Sequence, residues 1–302
     1  MSRIIDFHTH CFPEKIAEKA LASLSHCSGD ALPFHKGTAE SLLKQALSGG
    51  ADGAVVLNIA TNPRQQASVN NFAIETNNRF PNLFAFGSIH PESPDALDEL
   101  VRIHEAGLLG VKLHPDYQHF YVDEERMLPI YEKIASLGLI TVFHAGVDIG
   151  YPDPVHCTPE RLAYILPAFG NAPVVAAHMG GYLCWKDVLR FLAGKALYFD
   201  TAFSFSRMPP DWAREIIRTH GTEKILLGSD MPWSATGHEI RFVKSLSLLP
   251  EENFRLFQYK DIVSVPIEPA GKLSIGIAGK KQGQVSSATV SYTHLRAHET
   301  KA

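Results

Sequence analysis

No stretch of about 20 consecutive apolar residues occurs in the sequence, so no segment reads as a membrane-spanning helix. The first ten residues, MSRIIDFHTH, place Asp6 and other polar residues where a secretory leader needs an unbroken apolar run. Cysteine is scarce. Cys11, Cys27, Cys157 and Cys184 form no CxxC pair and are too few to staple a 302-residue chain, which excludes a disulfide scaffold and leads to the expectation of a reducing, cytoplasmic setting. A basic run is also missing. With 28 Lys and Arg against 32 Asp and Glu, the formal net charge is −4, which argues against a nucleic-acid backbone or an anionic membrane as partner. No GxGxxG follows the first apolar run and no Gly-rich phosphate loop occurs, which removes the usual dinucleotide and nucleoside-triphosphate sites. A small-molecule partner is expected, with a homodimer left open.

What is present is an ordinary globular composition, 45% hydrophobic and 20% charged, arranged in a regular beat. Short apolar runs alternate with stretches of helical period up to about residue 250. The runs are Ile4 to Phe7, Ala54 to Ile59, Leu83 to Ile89, Leu109 to Leu113, Leu139 to Phe143, Val174 to Ala177, Ala196 to Phe199 and Ile225 to Gly228. Helices are predicted over Thr38 to Leu47, Gln65 to Arg79, Ala96 to Glu105, Glu125 to Ser136, Pro159 to Ala168, Lys186 to Leu192, Asp211 to His220 and His238 to Leu248. Continuous apolar strands are buried on both faces, and right-handed crossovers make neighbours parallel. Eight such units in about 250 residues close naturally into a (β/α)8 TIM barrel, an α/β fold, with an open doubly wound sheet as the alternative.

From residue 254 the beat stops. The barrel is therefore expected over 1–253 and an irregular tail over 254–302, rich in Gly, Ser and Lys and without helical period. The final stretch VSYTHLRAHET resembles translated sequencing-adapter DNA, so a frameshift near Phe254 is an alternative origin for the tail.

Histidine is abundant, 15 in all, and several histidines stand where apolar runs end. In a barrel the last inward residue of each strand looks into the mouth where chemistry takes place. Asp6, His8 and His10 alternate, which predicts one inward parity for all three. The fourth run ends Lys112-Leu113-His114, the fifth at His144, the sixth at His178 and the eighth at Asp230. Each alone reads more blandly, as a hydrogen-bonded histidine or a capping aspartate. Together, at the ends of different strands, imidazoles and a carboxylate form a ligand set suited to Zn²⁺, Fe²⁺ or Mn²⁺.

The segments DFHTH, VKLHP, FHAG, AHMGG and LLGSDMPW, spread over roughly residues 4 to 250, resemble the amidohydrolase superfamily, in particular its branch of amidohydrolase-related decarboxylases and hydrolases. The resemblance implies that His8, His10, His144 and Asp230 bind one divalent metal, zinc first and manganese or iron as alternatives. It places His178 beside the water that the metal activates, with Asp230 and His178 as catalytic residues. Lysines like Lys112 are carbamylated in binuclear members of the superfamily, so a two-metal site with carbamylated Lys112 is an alternative. Otherwise Lys112 holds a substrate carboxylate as a point charge. His114, Tyr182 and Trp233 are further substrate-binding candidates, beside loop residues Asp116, Tyr117, Gln118, the stretch 148–156 and Trp185. His90 is as readily structural. The expected activity is hydrolysis of a small amide, lactone or ester by metal-activated water. Non-oxidative decarboxylation of an unsaturated or aromatic acid is the alternative, and a non-catalytic metal-binding barrel is the second.

Overall fold

Eight short parallel strands alternate with helices in the computed structural model, which describes residues 4–27, 30–151 and 153–248. The strands are β1 (Ile5–Thr9), β2 (Gly53–Leu57), β3 (Leu83–Phe86), β4 (Gly110–Leu113), β5 (Ile140–Phe143), β6 (Val174–Ala176), β7 (Tyr198–Asp200) and β8 (Ile225–Leu226). They order as β1-β2-β3 and β4-β5-β6-β7-β8, all pairs parallel. Backbone hydrogen bonds span both seams between these two sheets. At one, Gly87 N–H donates to Gly110 O and Lys112 N–H to Gly87 O. At the other, Phe7 N–H donates to Leu227 O, Asp230 N–H to His8 O and His10 N–H to Met231 O. The ring is the expected TIM barrel. The boundary expected after residue 253 and the tail expected over 254–302 lie outside the described residues. Among the described residues no helix is long and apolar enough to cross a membrane.

Alternation along the strands divides the core into two layers. Phe7, Leu57, Phe86, Val142, Val175 and Leu226 fill the barrel interior. Their neighbours, such as Val56, Ala85, Val111, Phe143 and Phe199, face the surrounding helices. Helices α2 (Ala39–Ser48), α3 (Gln66–Arg79), α4 (Ala96–Glu105), α5 (Leu128–Ser136), α6 (Pro159–Ile165), α8 (Pro210–His220) and α9 (Thr236–Ser245) lie close to their predicted places. The causes are local. A capping box between Thr38 and Ser41 starts α2. Ala96, Leu100 and Ile103, at i, i+4 and i+7, give α4 its buried stripe.

Two elements differ from the sequence reading. The β1-to-β2 connection contains a further helix, α1 (Glu14–Cys27), which buries only Ala17 and Leu21 and so shows little core stripe to read. The segment predicted as helix over Lys186 to Leu192 is a single turn, α7 (Trp185–Asp187), continued by a wider π turn over Val188–Leu192.

The parity predicted for the first strand is also corrected. Ile5 and Asp6 pair with Gly53 and Ala54, whereas Thr9 pairs with Val56, so β1 carries one extra residue between Asp6 and Thr9. Before this bulge Phe7 points into the barrel and Asp6 points the other way. There Asp6 accepts hydrogen bonds from Ser229 N–H and Thr236 Oγ1. After it the phase shifts by one, and His8 and His10 turn to the mouth. The bulge lets one strand supply both a core phenylalanine and a chelating pair.

Candidate metal centre

His8, His10 and Asp230 meet at the junction of β1 with the end of β8. Their ligand atoms all lie within 4.8 Å of one another. His8 Nε2 is 3.3 Å and His10 Nε2 3.1 Å from Asp230 Oδ1. The other nitrogen of each ring is already committed. His8 Nδ1 lies 2.8 Å from Asp200 Oδ2 and His10 Nδ1 2.8 Å from Leu57 O, and both oxygens are acceptors, so each Nδ1 carries a proton. Burial, with help from the Lys112 charge, pushes His8 well below the usual histidine range, so its ring is neutral and Nε2 is a bare lone pair. A lone pair and a carboxylate oxygen 3.3 Å apart repel unless a cation joins them. The donor set therefore fits a divalent metal, and the Asp200–His8 pair is the support that a ligating histidine ordinarily has. Asp230 itself would be pushed up by burial. The contact with His10 and the His8 and His178 imidazoles around it outweigh this and hold it below the ordinary carboxylate value.

His178 stands next to this cluster, its ring 5.0 Å from that of His8. Its Nδ1 lies 3.2 Å from Ala202 O and its Nε2 3.1 Å from His144 Nδ1. The structure brings His144 to His178 rather than directly to Asp230, and groups it instead with His114 and Asp148. The His114 and His144 rings stack at 4.1 Å, with His114 Nε2 3.5 Å and His144 Nε2 3.8 Å from Asp148 Oδ2. His144 Nε2 is buried and has no hydrogen-bond partner. Non-glycine residues with left-handed backbone cluster here: His178 (φ 58°), Met179 (φ 56°), Phe203 (φ 63°) and Asp230 (φ 67°). Gly146 (φ 82°) is required by contact as well, because a Cβ there would lie 2.2 Å from Tyr182 N.

Lys112 points inward from β4 and is almost wholly buried, with no hydrogen-bond partner at Nζ. Burial pushes its ammonium down to about 8, against the pull of Asp200 and Asp230. With the histidines it floors a cavity of about 630 Å³, whose lining also includes His114, Tyr117, Tyr182 and Trp233. Tyr117 stacks on His114 at 3.8 Å. Several other loop candidates make contacts within the fold. Gln118 donates to Ala60 O and Ile89 O and accepts from His114 N–H. Asp116 takes both N–H and Nδ1 of His156. Trp185 packs against the outer core layer, and His90 accepts from Glu92 N–H.

Sequence reasoning passed over Asp200. It accepts from His8 Nδ1, His178 N–H (2.8 Å) and Ala202 N–H (3.1 Å), which ties two strand ends to one carboxylate. Its signal was available, since the seventh strand ends Tyr198-Phe199-Asp200 at the level of the other polar strand ends.

Solved structures share this architecture. 5-Carboxyvanillate decarboxylase from Sphingomonas paucimobilis superposes with a TM-score of 0.61 at 15% identity, covering 85% of this chain and 97% of its own. A probable 2-pyrone-4,6-dicarboxylic acid hydrolase from Acinetobacter baumannii, with citric acid bound, gives 0.59 at 18% identity and the same coverage. A dihydroxybenzoic acid decarboxylase from Polaromonas, with bound manganese and an inhibitor, gives 0.58 at 13% identity over 85% of this chain and 95% of its own. No curated protein matches the chain in sequence. These likenesses speak for the barrel alone. The sequence carries the rest: the amidohydrolase family model matches residues 5–258, a span that holds every residue of the His and Asp cluster, and the chain belongs to that family.

Proposed function

We propose that the protein is a metal-dependent hydrolase that cleaves a small amide, lactone or ester. His8, His10, His144 and Asp230 would hold one divalent metal, zinc first and manganese or iron as alternatives. The observation that carries this reading is the meeting of the His8 Nε2 lone pair with Asp230 Oδ1 at 3.3 Å in a buried setting, an arrangement that a cation completes. When bound, the metal supplies a Lewis acid that lowers the pKa of water toward about 7. Asp230 takes the proton of the attacking water at its carboxylate. His178, whose Nδ1 donates to Ala202 O, orients the attacking water by accepting at Nε2, or, with both ring nitrogens protonated, stabilises the developing oxyanion there. Lys112, His114, Tyr182 and Trp233 contact the substrate around this centre.

A second reading, non-oxidative decarboxylation of an unsaturated or aromatic acid, draws on one observation. The partnerless Lys112 Nζ at the floor of the cavity suits a desolvated substrate carboxylate. Zinc-loaded protein and a panel of lactones, esters, amides and carboxylic acids in ¹⁸O-water separate the two. Hydrolysis places one water oxygen in the product acid, whereas release of CO2 without that uptake overturns it. Bound metal is expected to disappear in the His8→Ala, His10→Ala double variant, and full metal content there places the site elsewhere.

A further inference from the structure

Helix α1 carries two apolar stripes, and the fold needs only one of them. Ala17 and Leu21 are buried, with Leu21 packed against the turn at Gly37. Ile16, Ala20 and Leu24, at i, i+4 and i+8, lie on a second stripe that lines the cavity, and Ile16 keeps half of its surface exposed. Val69 and Phe72 of α3 line the same cavity, as does Phe12 just beyond β1. All are only partly buried. The polar floor of His8, His10, Lys112, His178 and Asp230 thus opens into an apolar side chamber between α1 and α3. At about 630 Å³, the whole space is in the range that accommodates ligands larger than a single-ring acid.

We infer that this chamber binds an apolar tail of the substrate, so that the substrate class is an amphiphile with a carboxylate or carbonyl head at the histidine floor and an acyl or aryl tail against Ile16, Ala20, Leu24, Val69 and Phe72. The inference rests on the reading of the floor as the reactive centre. Its support is continuity, since one cavity joins the partnerless Lys112 ammonium to the surplus stripe of α1. Half-exposed Ile16 and the partly exposed Leu24, Val69 and Phe72 on these helices gain free energy when an apolar group covers the surface they leave open.

Isothermal titration of the full-length, zinc-loaded protein with straight-chain carboxylates from butanoate to decanoate tests it. Burial of each added methylene is expected to tighten binding about fourfold, with one site per chain, until the chamber is full. Ala20→Phe fills the chamber and is expected to flatten that slope. Leu24→Gln, at a partly exposed helical position, is expected to lower it. Thermal unfolding of both variants checks that they are folded. Dissociation constants within twofold from butanoate to decanoate overturn the inference, and so does an undiminished slope in both folded variants. The metal-free protein keeps the two readings apart. Metal-dependent butanoate binding with no chain-length effect sinks the chamber alone, whereas a chain-length slope with metal-independent butanoate binding sinks the metal-site reading and leaves the chamber standing.

Discussion

Asp200→Asn changes one atom of a residue that lies outside the proposed ligand set, and its effect follows from proton positions. In the native protein Asp200 Oδ1 accepts two backbone N–H groups, from His178 and Ala202, and Oδ2 accepts from His8 Nδ1 at 2.8 Å. An asparagine that keeps the backbone bonds must turn its NH2 toward His8 Nδ1, where two donors then face each other. The imidazole relieves this by moving its proton to Nε2, and the lone pair aimed at Asp230 is lost. The reverse orientation keeps the His8 tautomer but sets the NH2 against the two backbone N–H groups, which loses about 1 to 3 kcal/mol of buried hydrogen bonding. Both routes weaken the metal site. Loss of such a supporting carboxylate typically lowers metal affinity 10- to 100-fold, or about 1.4 to 2.8 kcal/mol.

The assay is competitive titration of zinc against a chromophoric chelator, with metal content per chain measured after dialysis. Thermal unfolding of the metal-free proteins distinguishes weaker metal binding from a weaker fold. Zinc affinity within twofold of the wild type refutes the reasoning, because His8 would then not bind metal in the tautomer that Asp200 imposes.

Gly146→Ala is expected to destabilise the protein strongly in urea titration, since φ 82° is strained for alanine and the new Cβ meets Tyr182 N at 2.2 Å; a change below about 1 kcal/mol contradicts the contact. His220, far from the metal centre, accepts from Gly194 N–H and donates to Leu197 O, and burial lowers its pKa to about 3. The fold therefore holds the neutral ring, so its stabilisation is complete above about pH 6.5 and falls by about 1.4 kcal/mol per unit as pH drops toward 3. A urea series from pH 7 to 4 that shows the same slope for wild type and His220→Gln removes this assignment. A chain ended after Gln258, where the family match stops, is expected to fold and keep its metal; loss of solubility on truncation shows that the tail packs on the barrel.

Much of this architecture was legible in the sequence because barrel strands must be apolar on both faces. The eight runs could be read without knowing their partners, and a histidine or aspartate at the end of such a run stands out chemically. What was missed has separate physical causes. An inserted residue in β1 leaves no mark in composition, so strict alternation put Asp6 beside His8, although the bulge sends it toward Thr236 of α9. Helix α1 was missed because a helix that buries two residues and lends its other apolar stripe to a cavity lacks the pattern of a core helix. His144 and Asp148 were each visible, but the stacking of His144 on His114 depends on loops whose course no local signal fixes.

The centre is shaped by backbone geometry as much as by its side chains. Regular strand geometry fixes the interior, where Phe7, Phe86 and Val142 alternate in phase. At the mouth the alternation is broken on purpose by three devices: the β1 bulge, the left-handed turn at His178-Met179 and the left-handed Asp230. They redirect polar side chains that continued strand geometry would send elsewhere, and the last two are held by a hydrogen bond to a neighbour. His178 N–H donates to Asp200, and Asp230 N–H donates to His8 O. Left-handed non-glycine residues cost about 1 to 2 kcal/mol each, which a local contact alone rarely offsets. The packed layer beneath them supplies the difference. Position within the centre therefore depends on residues that never touch a ligand, and Gly228 is the sharpest case. A Cβ added there would lie 2.9 Å from that of His8, so even a methyl group on this silent glycine displaces a histidine of the cluster.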